Sequence, residues 1–217
     1  MSETGPDFQF EATLWAAGHL HVAGVDEAGA GPLAGPVYAA AVILRRHDAP
    51  PGINDSKTLT EAERDALAPV IKARAIAWSV ASCTPSEIDT YNIRRACLIA
   101  MRRAIDALEP AAHAVVIDYH SLSDLRIPQL SITKGDTLSL SIGAASILAK
   151  TTRDALMVEH DARYPGYGFA RHKGYGTPEH LAALKRLGPC PLHRSSYAPV
   201  REAMGLLPAQ PSLDLAE

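Results

Sequence analysis

The chain has 217 residues, of which 47% are hydrophobic and 21% are charged, and its formal net charge is -3. This length fits one domain or two very small ones, and the composition excludes collagen-like, coiled-coil and wholly disordered proteins. We expect a soluble cytoplasmic protein, because no apolar run approaches the roughly 18 residues of a membrane helix, the first residues are too polar for a secretory signal, and the three cysteines form no C-x-x-C pair.

The apolar pattern predicts an α/β protein, since short apolar runs alternate with longer segments of helical period. In chain order, strands are predicted at 21–25, 36–44, 76–82 and 114–117, and helices at 60–72, 84–108, 139–164 and 178–187. Capping boxes that begin at Thr60 and Thr84 mark the starts of two of these helices. We place one domain at 18–202, between an N-terminal segment at 1–17 and a flexible tail at 203–217.

The charges are unevenly distributed along the chain. Residues 126–201 contain 11 Lys and Arg against 5 Asp and Glu, whereas the rest of the chain contains 10 against 19. A basic C-terminal portion on an acidic protein predicts a local face that binds polyanions. An ordinary solvated surface is the alternative, and the charge counts do not distinguish the two.

Two predicted strands end in the same way. Asp26-Glu27 follows the first strand directly, and Asp118 follows the strand at 114–117. A carboxylate at the end of a buried strand is costly to desolvate unless it is paired or binds a cation, and ligand sites of open α/β sheets lie beyond such ends. If the two strands are parallel neighbours, Asp26 and Asp118 face one crevice. Asp136, on a glycine turn before the long helix, adds a further carboxylate.

Several carboxylates around one point repel each other unless a divalent ion is present, and their hard oxygen ligands suit Mg²⁺ or Mn²⁺. Two such ions can activate a water molecule and stabilise the leaving oxygen of a phosphodiester. The alternative is that each aspartate caps a helix or a turn. The repeated strand–Asp ending and the adjacent Glu27 favour the metal site.

The segment from Gly24 to Val37 is too rich in glycine to continue the first strand, and its N–H groups could turn outward to hold an anion. It contains neither a Walker A motif nor the dinucleotide motif G-x-G-x-x-G. It resembles the signature of ribonuclease HII, a bacterial endonuclease that cuts at ribonucleotides within duplexes. The resemblance covers about residues 20–202 and includes these further blocks: Asn54-Asp55-Ser56-Lys57, Glu87-Ile88-Asp89, Lys134-Gly135-Asp136, Ala144-Ala145-Ser146, His172-Lys173-Gly174-Tyr175 and His193-Arg194.

This resemblance implies a ribonuclease H-like fold, in which a central mixed sheet is flanked by helices and extended by C-terminal helices. It implies a metal-dependent endoribonuclease that acts on RNA–DNA hybrids and on duplex DNA containing ribonucleotides. Hydrolysis on the 5′ side of the ribonucleotide would leave 3′-hydroxyl and 5′-phosphate ends. The catalytic and metal-binding carboxylates would be Asp26, Glu27, Asp118 and Asp136, the same four residues reached above.

The resemblance also implies that Gly29, Gly31 and Tyr175 recognise the ribose 2′-OH, the group that distinguishes RNA from DNA. An amphipathic core tyrosine is the alternative for Tyr175. Four residues are candidate phosphate contacts or, alternatively, surface charges without a dedicated role: Lys57, Lys150, His193 and Arg194.

The chain departs from the family pattern at two places. Ala30 stands in the substrate-binding segment where the family has an arginine, so a charge-assisted phosphate contact is lost. Tyr119-His120 follows Asp118 in place of the usual Gly-Asn, and these bulkier residues either reshape the site or supply a new contact. We expect activity with weakened substrate binding. The alternatives are a non-catalytic hybrid-binding relative and a two-metal phosphoesterase that acts on small substrates.

Three further expectations concern the surface and the partners. Asp154 is expected on the outside of the long helix, and the spacing of His172, His180 and His193 does not suit a zinc site. A monomer is expected, because an enzyme that grips a duplex needs no second subunit. The tail at 203–217 contains no glutamine followed by a paired aromatic, so no sliding-clamp motif is predicted there.

Overall fold

The computed structural model describes residues 5–206, which form a five-stranded sheet with helices on both faces. The strands are β1 (Val22–Ala28), β2 (Val37–Ile43), β3 (Ala77–Cys83), β4 (Ala114–Asp118) and β5 (Gln129–Ile132). Their order across the sheet is β3-β2-β1-β4-β5. The first three strands pair antiparallel, whereas β4 runs parallel to both β1 and β5. The predicted central mixed sheet is therefore confirmed.

The helices cover the sheet and extend it at the C-terminal side. They are α1 (Gln9–Ala16), α2 (Glu61–Arg74), α3 (Pro85–Tyr91), α4 (Ile93–Asp106), α5 (Leu140–Arg163), α6 (Phe169–His172), α7 (Pro178–Leu187) and α8 (Ala198–Ala203). A single 3-10 turn at Gly135–Thr137 precedes α5 in the described chain. No helix within residues 5–206 has the length and apolar content needed to cross a membrane.

The side chains of β2 alternate between two hydrophobic layers, as the period of a strand requires. Ala39, Ala41 and Ile43 pack into the layer that α4 covers, whereas Ala40 and Val42 pack into the layer that α5 and α2 cover. Because both faces of this strand are buried, its sequence is a nearly continuous apolar run. The sheet is therefore the middle of three layers.

Helix α5 lies unusually close to β1. A Cβ atom on Gly24 would overlap the backbone of α5 at Ser141, so this position accepts glycine alone without a shift of the helix. The following residues of α5, including Ala144 and Ala145, are small and fully buried. The close approach brings Ser146 of α5 next to the end of β1, where the predicted site begins.

Two predicted boundaries are wrong. Strand β1 does not end before Asp26, because Asp26 and Glu27 continue the antiparallel pairing with β2, opposite Ala40 and Ala39. The predicted helix at 84–108 is two helices, because Asn92 adopts a positive φ of 66° and its side chain caps α4 by accepting a hydrogen bond from the backbone N–H of Arg95.

Elements α1, β5, α6 and α8 were not predicted, because each is short or weakly periodic. Helix α1 lies in the segment at 1–17, and its buried Glu11 accepts hydrogen bonds from the Ser139 hydroxyl at 2.6 Å and from the backbone N–H of Ser141 at 3.1 Å. Helix α1 thus packs against the start of α5. The prediction of a flexible tail falls mostly on residues 207–217, which lie outside the described residues, as do residues 1–4.

Candidate active site

The carboxylates expected to bind metal lie at the adjacent ends of two parallel strands. Val25 on β1 pairs with Ile117 on β4, so Asp26 and Asp118 follow side by side at one edge of the sheet. Asp118 Oδ1 accepts a 2.6 Å hydrogen bond from the backbone N–H of Gly135, which holds the 3-10 turn carrying Asp136 against this edge. The condition set by the sequence, that the two strands are parallel neighbours, is met.

Asp26 is buried, and two hydrogen bonds hold its carboxylate. Its side chain is only 4% exposed and accepts hydrogen bonds from the backbone N–H of Glu27, at 2.8 Å, and from the Ser146 hydroxyl. The Ser146 hydroxyl in turn lies 2.8 Å from that of Ser56, which is buried as well. Both serines belong to sequence blocks noted above, but they were not predicted as site residues. No sequence pattern indicates that a serine lies next to an aspartate far away in the chain.

Burial and neighbouring charges raise the pKa values of Asp26, Glu27 and Asp118. Burial raises the pKa of Asp26 well above its usual value, and the charges of Glu27 and Asp118 raise it further. Burial also raises the pKa of Glu27 to about 7, with a further contribution from the charge of Asp118. The pKa of Asp118 is raised by burial too, although its hydrogen bond from Gly135 opposes the shift. Like charges brought together in the interior have this effect.

The donor set fits a hard divalent cation. Glu27 Oε2 is buried and has no hydrogen-bond partner within the described residues, so a cation there would satisfy an oxygen that is otherwise desolvated without compensation. A cation would also remove the repulsion that raises these pKa values. Within residues 5–206, no three His, Cys, Asp or Glu side chains converge closely enough to enclose an ion as they stand. Metal binding by Asp26, Glu27, Asp118 and Asp136 therefore stays a prediction.

Both lysines named as candidate phosphate contacts lie near carboxylates. Lys57 Nζ is 3.3 Å from Asp136 Oδ2, and its side chain is largely exposed at the rim of the cluster. Lys150 Nζ is 2.8 Å from Asp154, one turn along α5. The expected exposure of Asp154 is wrong, because this residue is only 5% exposed and also faces Arg64 at 3.8 Å. Asp154 therefore belongs to a buried ion-pair network.

The two residues after Asp118 have different positions relative to the site. His120 Nε2 lies 4.0 Å from Glu27 Oε1, and burial lowers the pKa of this imidazole. Tyr119 has a positive φ of 56° and is largely exposed. The sequence left open whether these residues reshape the site or supply a new contact. His120 supplies a new contact, because its ring borders the carboxylate cluster.

Two buried arginines hold the glycine segment by its carbonyl groups. Arg194 donates to the carbonyl oxygens of Gly29 at 2.6 Å and Ala30 at 2.9 Å, and the Tyr197 hydroxyl also donates to Ala30 at 2.8 Å. Arg153 donates to the carbonyl oxygen of Pro36 at 3.1 Å and lies directly under Gly29. The carbonyl groups of Gly29 and Ala30 therefore point into the protein.

Arg194 and His193 do not lie where the sequence analysis expected them. Both were treated as surface groups, but they are only 0% and 5% exposed respectively. Arg194 uses its guanidinium on the glycine segment, and His193 Nε2 contacts His180 Nε2 at 3.1 Å. The alternative that they are surface charges without a role is wrong. Neither side chain is exposed to solvent, where a phosphate would have to reach it.

Tyr175 lies beside the glycine segment. The residue is 42% exposed, and the Cε1 atom of its ring would be 3.8 Å from a Cβ atom on Gly31. The Lys150 ammonium lies 5.7 Å from the ring centroid and the Arg153 guanidinium 5.8 Å from it. The core alternative for Tyr175 is therefore wrong, and the structure brings Tyr175 together with Gly31.

Comparison with known proteins relates the chain to one family. A family model described as ribonuclease HII matches residues 23–200. The ribonuclease HII of an Anaeromyxobacter species is 58% identical over 205 residues, which are 94% of this chain and 65% of that protein. The chain thus spans slightly less than two thirds of this relative. The ribonuclease HII of Myxococcus xanthus is 52% identical over 94% of this chain and 70% of its own length.

The fold is similar to that of a solved structure. The ribonuclease H2 of Pyrococcus horikoshii has a TM-score of 0.72 at 24% identity and covers 85% of this chain and 97% of its own. This similarity confirms the predicted ribonuclease H-like fold.

Proposed function

Because the chain belongs to the ribonuclease HII family, we propose that it is a metal-dependent endoribonuclease acting on RNA–DNA hybrids and on single ribonucleotides in duplex DNA. Cleavage would occur on the 5′ side of the ribonucleotide and leave 3′-hydroxyl and 5′-phosphate ends. The observation that carries the proposal is the group of carboxylates formed by Asp26 and Glu27 on β1, Asp118 at the end of β4 and Asp136 on the adjoining 3-10 turn, with Glu27 Oε2 buried and unpartnered in the described chain.

The carboxylates would hold Mg²⁺ or Mn²⁺, and Bst-RNase HIII, whose fold is similar, has been solved in complex with Mn²⁺. When bound, two such ions supply the positive charge that activates a water molecule and stabilises the leaving oxygen. The chain's own contribution is to fix the ligands. Ser146 and the backbone N–H of Glu27 hold the Asp26 carboxylate, and the N–H of Gly135 holds that of Asp118.

Recognition of the ribose would take place at the glycine segment. Since the carbonyl groups of Gly29 and Ala30 are bonded to Arg194, the face of this segment next to Tyr175 is free for a substrate. The Tyr175 hydroxyl can donate to or accept from a 2′-OH, which a deoxyribose lacks. Lys57, exposed at the rim of the carboxylate cluster, would contact a phosphate of the bound strand.

The proposal is tested on a labelled DNA duplex that contains a single ribonucleotide. We expect one cut, 5′ to the ribonucleotide, in the presence of Mg²⁺ or Mn²⁺, no cut in EDTA, and no cut in the matched all-DNA duplex. Binding of the duplex without any cut, with both metals and over a range of concentrations, would support the alternative of a non-catalytic hybrid-binding relative. Turnover of small phosphodiesters alone would support the small-substrate phosphoesterase.

Restoration of the family's arginine at position 30 is expected to strengthen substrate binding. Ala30 is only partly buried, so the longer side chain of an Ala30→Arg variant can reach the surface beside the glycine segment. A new charge-assisted contact with a phosphate is worth about 1 kcal/mol at such a site, or about a fivefold rise in kcat/KM. Steady-state kinetics on the single-ribonucleotide duplex should place most of the change in KM. An Ala30→Gln variant, which is long but uncharged, is the control, and an equal rise there would contradict the electrostatic explanation.

A further inference from the structure

Three histidines of the C-terminal region are buried together without an acidic partner. His172, His180 and His193 are 8%, 0% and 5% exposed, and within residues 5–206 no ion pair joins any of them to a carboxylate. The rings of His172 and His180 stack with centroids 4.4 Å apart. Neutral imidazoles in such a place must have both ring nitrogens satisfied, because an unpaired polar atom in the interior is costly.

The hydrogen bonds of His180 and His193 run in one direction. His180 Nδ1 lies 2.9 Å from the carbonyl oxygen of Tyr175, which can only accept, so we assign the proton to this nitrogen. His180 Nε2 is then an acceptor, and His193 Nε2 donates to it over 3.1 Å. His193 Nδ1 in turn accepts from the backbone N–H of Cys190 at 3.0 Å. We call His193 and His180 the histidine relay.

The ionisation behaviour of the relay agrees with this assignment. Burial lowers the pKa of His180, and burial together with the charge of His180 lowers the pKa of His193 to about 4. Both rings are therefore neutral at neutral pH. The assigned hydrogen bonds require this, because each ring then carries one proton and donates one hydrogen bond.

The relay ends on the backbone of Tyr175, whose side chain makes no hydrogen bond within the described residues. The Tyr175 hydroxyl has no hydrogen-bond partner in the part of the chain that the structure describes, and its ring is partly exposed. Lys150 and Arg153 face the ring at 5.7 and 5.8 Å from its centroid, and the hydrogen bonds of the backbone around Tyr175 fix where the ring begins. The Tyr175 N–H donates to the carbonyl oxygen of His172 at 2.9 Å, and the preceding Gly174 carbonyl oxygen accepts from Leu33 of the glycine segment at 2.9 Å.

We propose that His180 and His193 are positioning residues, which hold the backbone of Tyr175 so that its ring and Gly31 face the ribose of the ribonucleotide. The inference rests on the proposed function, and it adds two residues that never reach the substrate. The Tyr175 carbonyl oxygen accepts from the backbone N–H of Thr177 at 2.8 Å as well as from His180. Loss of the His180 donor would leave only this local bond and would cut the connection between Tyr175 and His193, so the segment that carries the ring could shift. A small misplacement of a positioning group is enough to lower catalysis.

The test uses two replacements of His180 in the full chain. A His180→Asn variant keeps an N–H donor close to the position of Nδ1, whereas a His180→Leu variant keeps the volume and removes the donor. On the single-ribonucleotide duplex we expect His180→Leu to lower kcat/KM about tenfold and His180→Asn to stay within about threefold of the wild type. Thermal melting shows whether each variant is folded. If His180→Leu does not fold, His193→Leu, which removes the donor to His180 Nε2, takes its place with His193→Gln as the variant that keeps a donor, and we expect the same tenfold and threefold limits.

A double-mutant cycle separates positioning from general stability. In a Tyr175→Ala background the replacement His180→Leu should cause no further loss, because the group on which the relay acts is absent. An equal tenfold loss in that background, or an equal loss in His180→Asn and His180→Leu, would overturn the inference.

Binding in EDTA distinguishes failure of the inference from failure of the proposed function. Each variant is titrated with the ribonucleotide duplex and the all-DNA duplex, and we expect the preference for the ribonucleotide to fall about tenfold in His180→Leu. A wild type that prefers this duplex but never cuts it contradicts the proposed function alone. A wild type that cuts it while His180→Leu keeps full preference and rate contradicts the relay alone. A wild type with neither preference nor cleavage contradicts both.

Discussion

Replacement of Asp26 by Asn is expected to lower the rate of cleavage about a thousandfold or more. A bound divalent ion supplies several kcal/mol of transition-state stabilisation, and each loss of about 1.4 kcal/mol lowers the rate about tenfold. Asn keeps the shape of Asp26 and can still accept from Ser146 and from the N–H of Glu27, but it contributes no charge to the metal. Single-turnover cleavage of the ribonucleotide duplex in Mg²⁺ and in Mn²⁺ measures the effect, and an Asp136→Asn variant should behave alike.

The same replacement should make the protein more stable in EDTA. Because the pKa of Asp26 is raised in the folded state, ionisation favours the unfolded chain, and stability is lost as the pH rises from the unfolded pKa towards the folded one. Ionisation of the neighbouring Glu27 also lowers the stability of the folded protein as the pH rises, between its usual pKa of 4.5 and its folded pKa of about 7. Asp26→Asn should therefore melt at a higher temperature than the wild type at pH 8, and the difference should shrink towards pH 4.

Asp154 provides a matched control for both effects. It is as deeply buried as Asp26, but it is paired with Lys150 at 2.8 Å and faces Arg64 at 3.8 Å. Removal of one partner of such a pair leaves a buried charge uncompensated, so Asp154→Asn should lower the melting temperature at pH 8 while cleavage persists. Cleavage by Asp26→Asn at more than about a tenth of the wild-type rate would contradict the role given to Asp26.

The position of the carboxylates could be predicted because their signal is local. Asp26 and Asp118 each follow an apolar run that ends at a sheet edge, and only the pairing of β1 with β4 was needed to bring them together. The sheet itself was predictable for the same reason, since buried strands are short apolar runs. Strand β1 was predicted too short, because the register that carries Asp26 and Glu27 along β2 depends on a partner strand that a local pattern does not identify.

The support of the glycine segment could not be predicted from the sequence. Arg194 lies 159 to 165 positions along the chain from the carbonyl groups that it binds, and Arg153 lies 117 to 119 positions from its own. Both side chains are fully buried. A charged residue is expected at the surface unless it has a partner, and here the partners are backbone carbonyl groups, which no sequence pattern reveals. Asp154 was misplaced for the same reason, because its ion pair with Arg64 joins two helices far apart in the chain.

The second large effect is expected at Gly29, whose replacement by alanine should damage both stability and activity. Gly29 has a φ of +93°, and a Cβ atom there would overlap the Arg153 side chain, which is fixed by its bonds to Pro36 and Ala34. The backbone strain and the overlap together should cost about 2–4 kcal/mol, or a melting temperature lower by about 5–15 °C. The displaced segment should lower kcat about a hundredfold.

Gly31→Ala separates this structural role from contact with the substrate. Gly31 is exposed and lies outside the left-handed region, and a Cβ atom would meet only Tyr175 Cε1, at an ordinary contact distance of 3.8 Å. We therefore expect Gly31→Ala to melt within about 2 °C of the wild type, while its methyl group fills the space beside the tyrosine ring and raises KM about tenfold. Equal melting temperatures for Gly29→Ala and Gly31→Ala would show that Arg153 yields freely, and the two buried arginines would then not fix the shape of the glycine segment.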